Sequence, residues 1–326
     1  MKNTILLCIV GIFIAANSHA QTFLTNGLVA YYPFSGNAND ASGNGNNGSP
    51  QNAVLTTDRF GVVGHAYQFN GTNAYVSAPN QTYLNLTNGQ FTISLWASLD
   101  AEPNSLVSFL SLDNGGGGPK WIFFYGQPTI PYPPSGYYAG FHVNGVPDGD
   151  NYWLATTRFA PALGAWHQYI VTQMGTNYTV YIDGTSAFAE TNYMYHGSTQ
   201  VSGVGGPATI PSGITAPLTI GEAEGGNYFG GELDDIRIYN RALSSTEVAQ
   251  LFAIESPPII NLQKAVYLTC NNLWTGSNYQ VQASSDLINW TNQGSVFTAT
   301  SSYWRSTNYW DVDNWNQLFF RLQIAP

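Results

Sequence analysis

Residues 231–244 have the sequence GELDDIRIYNRALS, and the chain continues as STEVAQLFAIE up to residue 255. The run over residues 233–239 is rich in β-branched and aromatic residues, which predicts a strand. Ser244 and Glu247 then have the spacing of a capping box, ahead of apolar residues with helical spacing. This stretch therefore predicts a strand followed by one short helix that closes a domain.

Similar short runs recur along the preceding sequence and predict further strands. They lie between clusters of Gly, Asn and Pro. The predicted strands cover residues 28–32, 91–98, 166–172, 178–182, 218–221 and 233–239. Helix signals are nearly absent before residue 244. Because short strands between turn residues are typical of antiparallel sandwiches, we expect an all-β fold.

The composition changes again after the predicted helix. The sequence SPP at residues 256–258 breaks the helix and favours an extended linker. Further on, apolar residues alternate or cluster with period two, as in residues 279–283. The predicted organisation is a signal peptide (1–20), a large β-domain (21–255), a linker (256–263) and a small C-terminal β-sandwich (264–326).

The first twenty residues have the pattern of a secretory signal peptide. Lys2 precedes an apolar run over residues 5–16, and the small-residue ending Ser18-His19-Ala20 follows. The run is shorter than the ~20 residues that span a bilayer, and no later stretch is apolar enough to span one. We therefore expect an exported protein that is extracellular, periplasmic or associated with the cell surface.

Cysteine and charge content narrow the possible partners. Cys8 belongs to the predicted signal peptide and only Cys270 follows it, which excludes an internal disulfide and a Cys-based metal cluster in the mature chain. The formal net charge of −10 disfavours nucleic acid and anionic membranes as partners. A surface rich in neutral polar and aromatic residues suits neutral ligands such as glycans, but it is also common among exported β-proteins of any function. The sequence carries no signal for an oligomeric state.

Several motifs of the large domain resemble one known family. The motifs follow in order at residues 27–34, 37–44, 91–96, 166–167, 181–184 and 231–244. Together they resemble the bacterial laminin-G-like domains, which are concanavalin A-like jelly rolls. The resemblance implies a jelly-roll β-sandwich that hosts binding proteins as well as glycoside hydrolases. Residues 285–290 and 319–322 are similar to small β-modules at the ends of secreted proteins from environmental bacteria.

The resemblance also implies a structural calcium ion where the first and last strands lie side by side. The loop over residues 37–47 is rich in Asn, Asp and Ser, whose oxygen atoms are the ligands that calcium prefers. The predicted ligands are Asn37, Asp40, Asn44, Asp234 and Asp235. The alternative is that Asn and Gly simply form turns and that Asp235 pairs with a neighbouring arginine.

An aromatic stretch over residues 121–153 is the predicted ligand-binding region. Exposed rings on loops can stack on sugar rings, because a flat apolar face with a polar rim suits a pyranose. The candidate residues are Tyr132, Tyr137, Tyr138, Tyr152 and Trp153, of which the first three stand beside Pro and Gly and are expected on loops. For Trp121, Phe123 and Phe141, and for Trp96 and Trp166, we expect positions in the core.

Catalysis has weaker support in the sequence. One jelly-roll hydrolase family carries its acids as Glu-x-Asp-x-x-Glu on one strand, and Glu232 and Asp234 begin that pattern. The pattern ends on Arg237 instead of an acid. Glu222 and Glu224 form another acidic pair, next to glycines that indicate a loop. We therefore predict a non-catalytic protein that recognises carbohydrate or another cell-surface ligand, with a structural or adhesive protein as the alternative and a hydrolase or lyase as a weaker one.

Overall fold

In the computed structural model, the described residues are 22–81, 84, 86–127, 136–145, 151–186, 193–196, 199–200, 209–257, 265–306, 310–311 and 317–325. For residues 151–158, 193–196, 199–200, 265–266 and 310–311 the description covers the backbone alone. The chain divides into two compact units, residues 1–257 and 258–326.

The first unit contains the following elements. A short 3₁₀ turn, Thr22–Leu24, precedes the strands. The strands are β1 (Leu28–Tyr32), β2 (Ser49–Gln51), β3 (Val54–Thr57), β4 (Val63–Asn70), β5 (Tyr75–Ala78), β6 (Gln90–Leu99), β7 (Leu106–Asp113), β8 (Lys120–Gly126), β9 (Tyr138–Asn144), β10 (Asn151–Arg158), β11 (Trp166–Met174), β12 (Asn177–Ile182), β13 (Thr185–Ser186), β14 (Tyr193–His196), β15 (Thr199–Gln200), β16 (Leu218–Ile220) and β17 (Gly230–Tyr239). One helix, α1 (Ser245–Glu255), follows them.

The strands form a two-sheet sandwich of antiparallel pairs. One sheet has the order β13-β12-β11-β6-β17-β4-β3, with β1 also paired to β17. The other has the order β15-β14-β10-β9-β8-β7-β16-β5-β2. All six predicted strands are present, as β1, β6, β11, β12, β16 and β17. The prediction of an all-β jelly-roll sandwich is therefore confirmed.

The main core lies between the two sheets. Since successive side chains of a strand point to opposite faces, every second residue of a strand enters it. In β6 these residues are Phe91, Ile93, Leu95 and Ala97, and in β8 they are Trp121, Phe123 and Tyr125. The predicted core positions of Trp121, Phe123 and Phe141 are confirmed, because all three are fully buried.

Helix α1 covers the outer face of the eight-stranded sheet. Ser244 and Glu247 form the predicted capping box, and Val248 and Leu251 pack against Tyr239 and other buried side chains of the sheet. Trp96 is buried on this outer face, where its ring stacks on Phe252 with centroids 5.7 Å apart. In the described part of the chain, no helix has the length and apolar character needed to cross a membrane.

One prediction about the core is wrong. Trp166 is half-buried, whereas we expected it in the core. It is the first residue of β11 and pairs with Ser98 near the end of β6. At the end of a sheet a large side chain has neighbours on fewer sides, so it keeps part of its surface in solvent.

A β-bulge interrupts β17 in the middle of its pairing with β6. The register shifts between Asp234 and Arg237, and Asp235 has a φ of 45°. A bulge adds one residue to a strand and re-aims its side chains. As a result Leu233 and Ile236 both enter the main core, while Arg237 contacts Glu255 of α1 on the outer face.

The described residues of the second unit form three small sheets. Its strands are β18 (Ala265–Val266), β19 (Thr269–Asn271), β20 (Asn278–Ser284), β21 (Thr291–Thr298), β22 (Tyr303–Arg305), β23 (Trp310–Asp311) and β24 (Phe319–Ile324). They pair as β18-β23, β19-β22 and β21-β20-β24. Leu273, Tyr279 and Ala299 form its buried cluster, and the rings of Phe297 and Trp304 stack beside it with centroids 4.2 Å apart.

Candidate functional site

A cleft opens at one end of the sandwich, where three connections between strands meet. The connections are those from β4 to β5, from β6 to β7 and from β16 to β17. The cleft has a volume of about 390 Å³ and is called the end cleft below. Its polar side chains are those of Asn70, Asp100, Glu102, Asn104, Ser105 and Tyr228. The volume lies within the range of ~300–1,000 Å³ that is usual for small-molecule sites.

Backbone hydrogen bonds hold the three connections together. The N–H of Gly71 donates to the carbonyl of Phe229 at 2.9 Å, and the N–H of Ser108 donates to that of Asn227 at 3.0 Å. Gly231, next to the cleft residue Gly230, has a φ of 141°, and a Cβ there would collide with the carbonyl oxygen of Ser98. Main-chain contacts therefore fix the three connections. The side chain of Asn70 is used within its own turn, where Oδ1 accepts from the N–H groups of Thr72, Asn73 and Ala74.

Two exposed carboxylates face the end cleft, and each is held by one neighbour. Gln68 donates from Nε2 to Oδ2 of Asp100 at 2.6 Å, and Tyr137 donates its hydroxyl to Oε2 of Glu102 at 2.8 Å. Neither carboxylate uses a basic side chain for these bonds, and no Lys, Arg or His is among the described residues that line the cleft. The end cleft is thus an acidic site whose polar groups are pre-oriented by neutral hydrogen bonds.

Tyr137 connects the predicted aromatic region with the end cleft. Its ring is half-buried and stacks on Tyr125 with centroids 6.0 Å apart and an angle of 6° between the planes. Its hydroxyl reaches Glu102, which lines the cleft. The bond to the Glu102 carboxylate, followed by desolvation, raises the pKa of Tyr137 above its usual range. The phenol therefore stays a neutral donor that positions Glu102.

The other predicted ligand residues are placed differently. Tyr138 is buried as the first residue of β9, so the expectation that it lies on a loop is wrong. A buried ring belongs to the packing of the sandwich and has no free face. Tyr152 and Trp153 lie in β10, where the structure describes their backbone but not their side chains. Tyr132 lies outside the described residues altogether.

Sequence reasoning did not find the residues that line the end cleft. Asp100, Glu102 and Asn104 stand in a polar run with Pro103, directly after a predicted strand. That pattern is a signal for a functional loop, because loops on a rigid scaffold carry many binding residues. Tyr228 follows Gly225 and Gly226, which indicate a loop in the same way. The aromatic stretch over residues 121–153 is a stronger local signal than either of these short polar segments.

In the loop predicted to hold calcium, side-chain oxygen atoms accept hydrogen bonds from nearby groups of the protein. Oδ1 of Asp40 accepts from the backbone N–H groups of Tyr31 and Ser42, and Oδ2 accepts from the backbone and side chain of Asn46. Asn37 accepts from the N–H of Asn39 at 2.8 Å. Asn44 donates its amide to the carbonyl of Val29 at 3.0 Å.

These bonds also set the charge state of Asp40. Partial burial acts to raise its pKa, but the hydrogen bonds from Tyr31, Ser42 and Asn46 outweigh burial and lower it below the usual range. The ionised carboxylate is satisfied by these donors and therefore holds the loop against β1.

Asp234 and Asp235 are paired with an arginine. Arg59 donates from Nη1 to Oδ2 of Asp234 and from Nη2 to Oδ2 of Asp235, both at 2.6 Å. Tyr31 donates its hydroxyl to the other oxygen of Asp235 at 2.6 Å. The arrangement matches the alternative reading of the sequence, in which Asp235 pairs with an arginine.

These groups belong to a buried charge network beneath α1. Asp234, Asp235 and Glu255 share the two guanidinium groups of Arg59 and Arg237. Burial, and then the neighbouring charge of Asp235, raise the pKa of Asp234 above its usual range, while Arg59 acts in the opposite direction. Burial likewise raises the pKa of Glu255, against the effect of Arg237. The network neutralises its carboxylates with arginine.

The predicted set of ligands therefore does not fit a calcium ion. Calcium takes six to eight oxygen ligands, most of which would have to be free to turn towards it. Asp40 accepts hydrogen bonds from β1 and from its own loop through both oxygens, and Asp234 and Asp235 are occupied by Arg59. Over the described ranges, no group of three or more His, Cys, Asp or Glu side chains is arranged to hold a metal ion.

Two of the acidic side chains that could suggest a hydrolase, Asp234 and Glu224, are paired with basic residues, whereas Glu222 has no basic partner among the described residues. Asp234 is paired with Arg59, and Arg237 forms an ion pair with Glu255 at 2.7 Å. Glu224 forms an ion pair at 2.5 Å with the buried Lys120. Glu222 accepts from the N–H of Gly225 at 2.6 Å, and burial raises its pKa above the usual range.

The sequence and the fold were compared with known proteins. Residues 70–249 match the laminin G family model that is described as the concanavalin A-like lectin/glucanases superfamily. This segment begins at the last residue of β4 and ends inside α1, so it contains all three connections of the end cleft. No curated protein matched the chain.

Solved structures with a similar fold include proteins that were determined with sugars or sugar-like inhibitors. Domain 4 of AbnA, an extracellular arabinanase from Geobacillus stearothermophilus in complex with arabinotriose, is 19% identical with a TM-score of 0.48, over 69% of this chain and 97% of that one. Trypanosoma rangeli sialidase in complex with the inhibitor DANA is 19% identical with a TM-score of 0.44, over 69% of this chain and 32% of its own. A structure of botulinum neurotoxin type C, from work on its interaction with gangliosides, is 13% identical with a TM-score of 0.49, over 80% of this chain and 58% of that one. The chain thus spans about a third of the sialidase, and the identities are too low to carry a function across.

Proposed function

The chain belongs to the concanavalin A-like lectin/glucanase superfamily, and on this premise we propose that it is an exported, non-catalytic protein that binds carbohydrate in the end cleft. The observation that carries the proposal is the composition of that cleft. It combines the carboxylates of Asp100 and Glu102, the amide of Asn104 and the ring of Tyr228 in a volume of about 390 Å³.

This combination suits the chemistry of a sugar. Each hydroxyl of a sugar ring is both a donor and an acceptor, and a carboxylate is a strong acceptor for such donors. The amide of Asn104 can donate and accept in turn. Tyr228 supplies an apolar face with a polar tip, against which the C–H groups of a sugar ring can pack. The cleft therefore offers the few convergent polar groups and the apolar wall that are usual in ligand sites.

The charge of the cleft restricts the class of sugar. Asp100 and Glu102 repel a carboxylate on a ligand, and none of the described lining residues is basic. The chain as a whole carries a net charge of −10, which adds to this repulsion at low ionic strength. The ligand that we propose is accordingly a hydroxyl-rich sugar without acidic groups.

Three observations support a role without catalysis. The segment that resembles a hydrolase motif ends on Arg237, which pairs with Glu255. Asp234 of the same segment is buried, is paired with Arg59 and is not among the described residues that line the end cleft. The charge of Glu224 is balanced by Lys120. Export rests on the signal-peptide pattern of residues 1–20, and calcium is no part of the proposal because the predicted ligands do not fit it.

An adhesive function is the second candidate, and an exposed apolar surface favours it. The hairpin of β3 and β4 forms one edge of the eight-stranded sheet. Val54 is 59% exposed and Val63 is 81% exposed, and Leu55, Phe60 and Val62 are exposed beside them. Apolar side chains on an edge strand favour association with another chain.

Affinity electrophoresis of the mature protein tests the proposal. Native gels would contain neutral polysaccharides (arabinan, xylan, galactan or a β-glucan) or anionic ones (polygalacturonate or alginate), and reducing ends would be assayed in parallel. We expect at least one neutral polysaccharide to retard the protein with an affinity ~10-fold or more above that for any anionic one, a difference of about 1.4 kcal/mol. No reducing ends should be released.

Each other outcome has a distinct meaning. Retardation by anionic polysaccharides alone would contradict the proposed ligand class. Release of reducing ends would favour an enzyme, and the variants Glu222→Gln, Glu232→Gln and Asp100→Asn would then locate its acid. Absence of retardation in every gel, together with self-association of the protein, would favour the adhesive function.

A further inference from the structure

Arg59 is an almost completely buried guanidinium at the junction of three elements. Its side chain is 2% exposed. It comes from the connection between β3 and β4, and it contacts the bulge of β17 and the end of α1. Its guanidinium carbon lies over the rings of Phe60 and Trp96, at 4.5 Å and 4.6 Å from their centroids.

The guanidinium of Arg59 is oriented so that it pairs with two carboxylates at once. Its two terminal nitrogens each donate to a different carboxylate, Asp234 and Asp235, at 2.6 Å. Its Nε donates to the carbonyl of Glu255 at 2.7 Å, at the C-terminal end of α1 where a positive charge is favoured. A rigid guanidinium fork can donate to two carboxylates and to a backbone carbonyl in one plane, whereas a lysine ammonium is a point charge without this planar geometry.

We infer that Arg59 is a built-in counter-ion that takes the place of a structural calcium ion at this edge of the sandwich. The carboxylates of Asp234 and Asp235 would repel each other if no cation stood between them. Arg59 supplies that cation from within the chain. The first unit therefore keeps its fold without calcium, and the two carboxylates form a cation site that becomes available only when the guanidinium is removed.

This inference is independent of the proposed carbohydrate function. Of the described residues that line the end cleft, none contacts Arg59, Asp234 or Asp235 through a side-chain hydrogen bond or ion pair. A protein that binds no sugar could still use Arg59 in this role, and a lectin could still need calcium. The two are tested separately.

Thermal unfolding of the full mature chain tests the inference. Melting temperatures would be measured at about pH 9, because burial raises the pKa of Asp234 to about 8 and calcium binds the ionised carboxylate, in EDTA and with ~10 mM calcium chloride. We expect the same melting temperature for the unaltered protein in both buffers. The variant Arg59→Ala should melt about 10 °C lower in EDTA, because two buried carboxylates lose their partner. Calcium should recover at least ~3 °C of that loss by binding the folded state.

Two further variants make the test specific. Arg241→Ala removes an arginine that bridges to the single carboxylate of Glu247, so it should lower the melting temperature without any recovery in calcium. Arg59→Lys keeps the positive charge, and it should melt below the unaltered protein with no response to calcium. If Arg59→Ala does not fold, the calcium response of Arg59→Lys is measured in its place.

Two results would overturn the inference. A lower melting temperature of the unaltered protein in EDTA than in calcium would show that the first unit uses calcium after all. Equal melting temperatures of a folded Arg59→Ala in the two buffers would show that Asp234 and Asp235 offer no cation site. If Arg59→Ala does not fold, a calcium response of Arg59→Lys equal to that expected of the alanine variant would overturn it as well.

Discussion

Replacing Glu255 with alanine is expected to lower the free energy of unfolding of the first unit by about 3–5 kcal/mol, the usual effect of removing one partner of a buried ion pair. Glu255 is 4% exposed, and its Oε1 accepts from Nε of Arg237 at 2.7 Å. Its Oε2 accepts from the indole N–H of Trp96 at 3.0 Å and from the amide of Gln168 at 2.9 Å. Alanine removes all these acceptors and leaves Arg237 without its counter-charge. Urea unfolding followed by tryptophan fluorescence measures the change.

A double variant provides the matched control for this prediction. Replacing Glu255 with leucine and Arg237 with methionine removes both charges and keeps most of the volume. Because a buried ion pair contributes little net stability over apolar residues of similar size, the double variant should be more stable than Glu255→Ala. A Glu255→Ala variant within about 1 kcal/mol of the unaltered protein, the usual limit for an exposed pair, would show that the network under α1 is open to solvent.

The variant Gly226→Trp is expected to abolish carbohydrate binding in the end cleft, with a loss of affinity of ~100-fold or more. Gly226 lines the cleft, and a Cβ added there meets no atom within 4 Å. Its φ is not in the left-handed region, so a side chain can be added without backbone strain. The indole would then occupy space that the sugar needs. Isothermal titration calorimetry with a neutral polysaccharide that retards the protein in gels measures the loss.

Gly117→Trp is the control for the blocked cleft. Gly117 lies in the turn between β7 and β8, where a Cβ also meets no atom within 4 Å and the φ is likewise outside the left-handed region. Gly117 is not among the residues that line the end cleft. The control should bind as the unaltered protein does. Equal affinity of the two variants would place the ligand outside the end cleft.

Much of the fold could be predicted because local signals and long-range packing agree. The capping box of Ser244 and Glu247 lies within four residues, so the start of α1 is visible in the sequence. The strand β1 was predicted with its observed bounds, since apolar residues and turn residues both mark its ends. Trp121 and Phe123 alternate along β8 as core residues should. The capping signal and the alternation each need only neighbours in sequence.

The candidate site was less predictable because it depends on contacts between distant residues. The end cleft joins Asn70, Asp100 and Tyr228, which are brought together only by the order of strands in the two sheets. Arg59 reaches Asp234 across 175 positions of sequence, and nothing near Arg59 in the sequence indicates that contact. The bulge at Asp235 depends on its pairing with β6, which a single strand does not reveal.

Hydrogen exchange of the mature protein, with and without a saturating neutral oligosaccharide, tests most directly whether carbohydrate binds in the end cleft. The oligosaccharide would be a fragment of the neutral polysaccharide that retards the protein most strongly. The account predicts slower exchange of backbone amides in residues 99–107 and 226–230, with residues 245–255 of α1, on the outer face of the eight-stranded sheet, unchanged. Slower exchange confined to residues 136–145, to residues 49–57 or to the second unit would contradict it.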